Sequence, residues 1–161
     1  MAKPSRGTPA VRALEKAGAA FELHVYEYGG EKGAIGLEAA HALGLDPARV
    51  FKTLVAELDG SRLAMAIVPV AATLDLKAFA QLLDGKKAAM ADIARAERTT
   101  GYIKGGISPF GQKQKLAAAL DSSALDHATI FVSGGKRGLE IEIAPGDLMR
   151  LLAARNAAIA R

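Results

Sequence analysis

The stretch FKTLVAELDGSRLAMAIVPV, Phe51 to Val70, carries the strongest strand signal in this chain. Two runs rich in Val, Leu, Ala and Ile flank Asp59-Gly60-Ser61, a combination typical of the tight turn between two antiparallel strands. The stretch therefore predicts a β-hairpin, and helices are expected to flank the sheet that contains it.

Capping residues and glycines mark helices on both sides of this hairpin. Thr8 supplies an N-cap hydroxyl, Pro9 occupies the first helical position, and Gly18 ends that helix. The same signals predict further helical segments: a helix from Leu37 to Gly44, a turn at Asp46-Pro47, helices beginning at Asp75 and Asp92, and a closing helix over 145–160.

Two further strand patterns complete the predicted fold. In FELHVYE, residues 21–27, apolar residues alternate with polar ones, which predicts one core face and one wet or cleft-lining face that includes Tyr26. ATIFVSG and LEIEI, ending at Ile143, predict a second hairpin, whereas 112–123 gives no clear signal. The pattern indicates an α+β fold with a mixed, mostly antiparallel sheet, in a single domain over 8–161 after a flexible tail at 1–7.

Composition excludes several kinds of chemistry. The 161 residues include no cysteine, so disulfides, thiolate metal sites and a cysteine nucleophile are excluded, and a cytoplasmic setting is expected. The three histidines lack metal-ligand spacing, and no apolar run is long enough for a membrane span, so neither metal nor membrane is expected. A net charge of +4 suits a polyanionic partner or simply solubility.

Two glycine-rich loops are candidates for a binding site. TTGYIKGGISPFGQK, residues 99–113, and SGGKRGLEIEI, residues 133–143, place adjacent glycines where peptide N–H groups could approach a ligand. Tight turns with solvated Lys136 and Arg137 explain the same residues. Either interpretation fits the sequence alone.

Lys52 is the strongest candidate among the charged residues. Its period-two row contains Leu54, Ala56 and Leu58, so its side chain leaves the sheet on an apolar face. An ammonium group there must pair, bind an anion or extend to solvent along its apolar stem. The position of Lys52 in this row does not by itself distinguish a functional lysine from one at a strand end that extends to solvent.

These motifs together resemble the YbaK/EbsC family of aminoacyl-tRNA deacylases, the free-standing relatives of the editing domain in bacterial prolyl-tRNA synthetases. The resemblance rests on FKTLV, both glycine-rich loops and the spacing of TPAV, YE, VPV, LDLK and GDL, and it spans roughly residues 8–155. It implies a curved, partly barrel-like sheet. It also implies that Lys52 is needed for deacylation, with Tyr26 and Thr53 beside it.

The resemblance assigns the loops to the substrate. Gly105, Gly106, Ile107 and Ser108 would border the aminoacyl pocket. A second group, Ser133, Gly134, Gly135 and Lys136, would bind the phosphates of the acceptor end or the region of the substrate amine. Two positions depart from the family pattern: Glu140, where relatives often have aspartate, and Ile35, where cysteine-specific members have phenylalanine. Exposure on the face shared with Glu142 is the alternative for Glu140.

The expected activity is trans-editing, with removal of a wrong amino acid, cysteine above all, from tRNA for proline. In cysteine-specific members the substrate thiol attacks its own carbonyl, so neither a protein nucleophile nor a cofactor is expected. The expected partners are the acceptor end of mischarged tRNA and prolyl-tRNA synthetase. The alternatives are a deacylase for alanyl- or seryl-tRNA, in which water attacks, and a binding module without turnover.

Overall fold

The computed structural model describes residues 7–27 and 35–161. In these ranges the α-helices are α1 (Pro9–Lys16), α2 (Ile35–Ala42), α3 (Leu76–Leu82), α4 (Ile93–Thr100) and α5 (Pro145–Leu152), and 3₁₀ helices cover Pro47–Arg49 and Ser122–Asp126. The strands are β1 (Glu22–Val25), β2 (Phe51–Leu58), β3 (Arg62–Pro69), β4 (Ala88–Met90), β5 (Ala117–Asp121), β6 (Ile130–Ser133), β7 (Leu139–Ile143) and β8 (Arg155–Ala157). Of the predicted tail only Gly7 is described, so the domain bounds stay a prediction.

The described strands form two sheets, one of three strands in the order β1-β7-β6 and one of five in the order β4-β2-β3-β5-β8. Both predicted hairpins, β2–β3 and β6–β7, are present and antiparallel, whereas β5 pairs in parallel with β3 and β8. A bridge between Val50 and Phe131 joins the two sheets. The predicted α+β class with mixed, mostly antiparallel pairing is confirmed, and the described strands do not close into a barrel.

Helix caps follow the sequence closely. Thr8, Asp75 and Asp92 each accept a hydrogen bond from a backbone N–H in the first turn of the helix that follows. Gly101 ends α4 at φ 84°, a conformation that favours glycine. None of the described helices has both the length and the apolar character needed to cross a membrane.

Three short strands escaped the sequence analysis. The predicted closing helix over 145–160 is wrong in its second half, because α5 ends at Leu152, Ala153 turns at φ 51°, and β8 then pairs with β5. The strand β5 lies in the stretch that gave no signal, and β4 is three residues long. Alanine-rich sequence favours helix locally, so pairing with a neighbouring strand overrides the local preference.

Alternation fails at the end of β1. Val25 is 54% exposed and Tyr26 is 9% exposed, the reverse of the predicted pattern. The strand ends at Val25, and the Tyr26 N–H donates instead to the carbonyl of Gly138 at 2.9 Å. The change of direction turns Tyr26 toward the interior.

The two faces of the five-stranded sheet pack against different elements. Phe51 and Ile67 belong to a cluster that includes α1, α5 and the three-stranded sheet. The neighbouring residues Ala56, Leu58 and Val68 pack against α3. Residues with odd and even numbers in β2 therefore face opposite layers, as the period of a strand requires.

The two glycine-rich loops pack directly against each other. A Cβ atom on Gly106 would lie 2.9 Å from the Cα of Lys136, and one on Gly135, at φ 104°, would lie 3.0 Å from the ring of Tyr102. Thr8 Oγ1 donates to the carbonyl of Gly134 at 2.5 Å. Glycine is thus needed at 106 because the backbones of the two loops approach each other closely, and at 135 because of its positive φ and the side chains next to it.

We expect Gly106→Ala to lower the free energy of unfolding by about 1–3 kcal/mol, because the methyl group meets backbone atoms that cannot rotate away. Gly146→Ala, in α5, is the matched control, since a Cβ there meets nothing within 4 Å. The control should be neutral or stabilise the protein by up to ~1 kcal/mol. Urea unfolding checks both variants, and equal stability of the two would contradict contact between the loops.

Candidate active site

A cleft of about 500 Å³ opens where the two sheets meet. Its walls come from β2, from the segment that joins β4 to α4, from the loop after α4, and from the β6–β7 hairpin. The polar residues that line it are Tyr26, Lys52, Thr53, Glu97, Lys104, Ser133, Arg137 and Glu140. Most of the remaining lining is apolar, a composition common to ligand sites.

The cleft follows an unpaired edge of β2. Strand β4 pairs only with Ala56–Leu58 and the Ala91 N–H reaches the Val55 carbonyl at 3.1 Å, while the bridge to β6 lies at Val50. The stretch of β2 between these contacts lines the cleft. No described strand pairs with it on that side.

The direction of the peptide groups in this gap follows from their neighbours. The Val50 carbonyl accepts from Val70 on the β3 side, and the Val55 carbonyl accepts from Ala91 on the β4 side. Because peptide groups alternate in direction along an antiparallel strand, the N–H and C=O of Thr53 point away from β3. They face the cleft, where a substrate could bind them.

Lys52 and Thr53 reach the cleft from opposite faces of β2, so the cleft wraps around the strand edge. Lys52 is half-buried, and burial lowers the pKa of its ammonium group. No carboxylate of the described residues forms an ion pair with it. The Thr53 Oγ1 atom is buried and has no hydrogen-bond partner among the described residues. Both groups are therefore available to a ligand.

Glu140 forms the opposite wall. It is only 6% exposed, and burial raises its pKa to about 8, so its carboxyl group is largely protonated at neutral pH and can donate a hydrogen bond. Burial is also the main cause of the raised pKa of Tyr26. The exposed position expected for Glu140 as the alternative is wrong, because the residue lies in the cleft lining with Tyr26 and Arg137 and is shielded there from solvent.

Glu142, two residues further along β7, has a different environment. Its carboxylate accepts from Thr129 Oγ1 at 2.6 Å and lies 2.8 Å from His24 Nε2, and these contacts lower its pKa. Arg49 lies 5.0 Å above the Phe131 ring and 3.6 Å from the same carboxylate. His24 thus belongs to this cluster, which ties β1, β6 and β7 together outside the cleft lining.

The structure brings together seven of the predicted site residues and places five others outside the cleft lining. Those in the lining are Tyr26, Lys52, Thr53, Gly105, Ile107, Ser133 and Glu140. Those outside it are Gly106, Ser108, Gly134, Gly135 and Lys136. Ser108 is fully buried, and its hydroxyl accepts from the Phe110 N–H at 3.3 Å. Ile35 begins α2, but its side chain lies outside the described residues.

Sequence reasoning missed Arg137, Glu97 and Lys104. The sequence suits a solvated turn at Arg137, yet this residue lines the cleft and its buried Nε has no partner among the described residues. Glu97 Oε2 accepts from the backbone N–H of Lys104 at 2.8 Å and so ties α4 to the loop that follows it. These three residues are distant in sequence from the FKTLV motif, so no local pattern predicts that they line the same cleft.

No group of three His, Asp or Glu side chains in residues 7–27 and 35–161 is arranged to hold a metal ion. The hydroxyls of Thr53 and Ser133 line the cleft, but the described part of the cleft contains no histidine that could activate them. What the cleft offers is basic side chains, the backbone groups of a strand edge and a buried acid. These groups can position a substrate and stabilise charge that develops on it.

Glu140 should make stability depend on pH. Its folded pKa of about 8 exceeds the ordinary value near 4.5, so its contribution is complete below the lower value and is lost as pH rises to the higher one. Between about pH 5 and 8 the free energy of unfolding should fall by at most ~1.4 kcal/mol per pH unit from this group. Glu140→Gln should remove that slope, whereas Glu22→Gln, at an exposed site on β1, should keep it. Urea unfolding at several pH values measures both, and an unchanged slope in Glu140→Gln would contradict a raised pKa.

Comparison with known proteins identifies the family. Residues 34–151 match the family model described as the aminoacyl-tRNA editing domain. A protein of Enterococcus faecalis named "Putative Cys-tRNA(Pro)/Cys-tRNA(Cys) deacylase EbsC" is 35% identical over 150 residues, which cover 92% of this chain and 90% of that protein.

The fold has a close counterpart among solved structures. A structure described as "a putative trans-editing enzyme for prolyl tRNA synthetase" superposes with a TM-score of 0.85, at 24% identity, over 100% of this chain and 99% of that one. That likeness supports the fold, and the sequence matches carry the assignment. This chain belongs to the family of aminoacyl-tRNA editing domains.

Proposed function

We propose that this protein is a trans-editing aminoacyl-tRNA deacylase that removes cysteine from mischarged tRNA for proline. The observation that carries the proposal is the convergence of Lys52, the free edge at Thr53 and the buried Glu140 on one cleft. The family and the named activity of the E. faecalis relative support the reaction class. The cysteine preference rests on that relative's name and on the motifs of the sequence.

In this mechanism Lys52 supplies the positive charge. A cation with a lowered pKa and no carboxylate partner in the described chain is a preorganised partner for oxygen atoms that gain negative charge. Its ammonium group would bind the ester carbonyl oxygen, or the oxygen of the departing ribose, as charge develops. The partly apolar surroundings strengthen that interaction relative to the same contact in water.

Thr53 would hold the ester in place through its backbone. Its N–H would donate to an oxygen at the end of the tRNA, and its carbonyl would accept from the α-ammonium group of the amino acid. The unpartnered Oγ1 atom offers another contact on the same residue. Fixing both ends of the aminoacyl group holds the reacting atoms in one arrangement.

The attacking group would come from the substrate, because no activated nucleophile lines the described cleft. The cysteine sulfur would form a bond to its own carbonyl carbon while the ester C–O bond breaks. The thiol proton would pass to the departing ribose oxygen. The products would be free tRNA and a cyclic thioester, which water would open to cysteine.

Two alternatives remain specific enough to test. A deacylase for alanyl- or seryl-tRNA would use water as the nucleophile in the same cleft. A non-catalytic module would bind tRNA or the synthetase through the same cleft but would not cleave the ester. Association with prolyl-tRNA synthetase is part of the proposal because it would supply selectivity for the tRNA through additional contacts.

Lys52→Ala should reduce the single-turnover rate of deacylation by roughly 10²–10³, the usual effect of losing one preorganised electrostatic contact. The stability change should be about 1 kcal/mol or less, because the substitution leaves no buried partner unpaired. Lys136→Ala removes the same charge from a residue outside the cleft lining and is the matched control. Near-normal rates for Lys52→Ala at saturating enzyme would refute the proposed role.

The identity of the nucleophile can be tested with three esters on the same tRNA. If the substrate thiol attacks, replacing cysteine by serine should abolish most activity, because the two side chains barely differ in size and the difference is chemical. Alanine, which has no thiol, should also be inactive. Hydrolysis rates of cysteinyl-, seryl- and alanyl-tRNA measure this directly. Equal rates would indicate attack by water and favour an alanine- or serine-editing enzyme, and no turnover of any ester would favour the binding module.

A further inference from the structure

A second groove lies on the other side of α4 from the cleft. Ile93, Ala96 and Glu97 line the cleft, whereas Arg95, Arg98 and Thr99 line the groove. The groove has a volume of about 580 Å³. It is completed by residues of the β2–β3 turn, of β3 and of the segment before β5, namely Ser61, Leu63, Gln114, Lys115 and Leu116.

The charged side chains that line this groove in the described chain are all basic. Arg95 is already engaged, since it contacts the Glu57 carboxylate and donates to the Ser61 carbonyl at 2.8 Å. Arg98 and Lys115 are exposed, and neither forms an ion pair with a described residue. Two uncompensated cations therefore share one concave surface.

The uncharged polar lining suits the same kind of ligand. Ser61, Thr99 and Gln114 line the groove and carry hydroxyl or amide groups, which can donate hydrogen bonds to phosphate oxygens. Cations with adjacent neutral donors are typical of surfaces that follow a nucleic-acid backbone. An acidic peptide would also complement the positive charge. RNA is favoured because the nearby cleft is proposed to bind the end of a tRNA.

The position of the groove fits the length of the substrate. An α-helix with its side chains is about 10–12 Å wide, so α4 separates cleft and groove by that distance. If the cleft holds the terminal aminoacyl nucleotide, the strand leading to it must pass along the protein surface within a few nucleotides. The groove supplies positive charge at that separation.

We propose that this groove, through Arg98 and Lys115, binds backbone phosphates of the tRNA acceptor end while the terminal nucleotide occupies the cleft. The inference rests on the proposed function in taking tRNA as the ligand. It adds a second binding surface that anchors the RNA without touching the ester. Part of the binding free energy for tRNA would then come from the groove rather than from neutral sugar and base contacts in the cleft.

The test is the double variant Arg98→Gln/Lys115→Gln. Its matched control is Lys16→Gln/Lys77→Gln, which removes two charges from exposed positions on α1 and α3, away from both concave surfaces. Binding of uncharged tRNA is measured by fluorescence anisotropy over a range of salt concentrations. Deacylation is measured on cysteinyl-tRNA and on the cysteinyl ester of adenosine, which has no phosphate.

The groove variant should bind uncharged tRNA on the order of fivefold more weakly, and its log–log salt slope should be less steep by about 1.4, or ~0.7 for each lost phosphate contact. KM for cysteinyl-tRNA should rise while kcat and cleavage of the adenosine ester stay unchanged. The control variant should retain most of the affinity and of the salt slope.

Three outcomes would overturn the proposal. An unchanged salt slope and affinity would exclude phosphate contacts, and equal losses on the adenosine ester would mean that α4 acts on the cleft. Loss of activity only when prolyl-tRNA synthetase is present would make the groove a protein-binding surface. Because the anisotropy arm uses uncharged tRNA, it remains decisive even if no ester is cleaved, so failure of the proposed reaction is distinguishable from failure of the groove. Thermal unfolding confirms that both double variants are folded.

Discussion

The site depends on one gap in strand pairing. Strand β2 is paired with β4 at one end and bridged to β6 at the other, so no described strand pairs with the short stretch around Thr53 on that side. Unpaired peptide groups away from water are costly, and native structures rarely keep them without a ligand or solvent to satisfy them. The gap therefore creates the cleft and provides directional groups within it.

The pKa values of Glu140 and Lys52 are shifted by burial where the two sheets meet. Strand β7 and strand β2 bring Glu140 and Lys52 to the lining of one cleft, where burial favours the neutral form of Glu140 and lowers the pKa of Lys52. Lys52 can then act as a cation and Glu140 as a hydrogen-bond donor, without the two forming an ion pair. A salt bridge between them would satisfy both groups internally and leave less for a substrate.

Several features were accessible from local sequence because they depend on neighbouring residues. Helix caps at Thr8, Asp75 and Asp92, both hairpins and the phase of Lys52 were predicted correctly. The strands β4, β5 and β8 were not, since their short or alanine-rich segments become strands only when a neighbour supplies hydrogen bonds. The motifs also identify the family, because their order and spacing are specific.

The residues of the chain fixed the chemistry available to it: no thiol, one lysine on an apolar strand row, and two loops rich in glycine. Which of these residues line the cleft, and which pack the loops together, depends on the tertiary structure. Gly106 and Gly135 proved to serve close contact between the loops, while Arg137, unremarkable in its turn, reached the cleft. Burial of Glu140 had the same origin, since a strand's period defines which residues share a face but not what covers that face. Whether a strand face is buried depends on contacts between residues distant in sequence, and local sequence patterns do not predict those contacts.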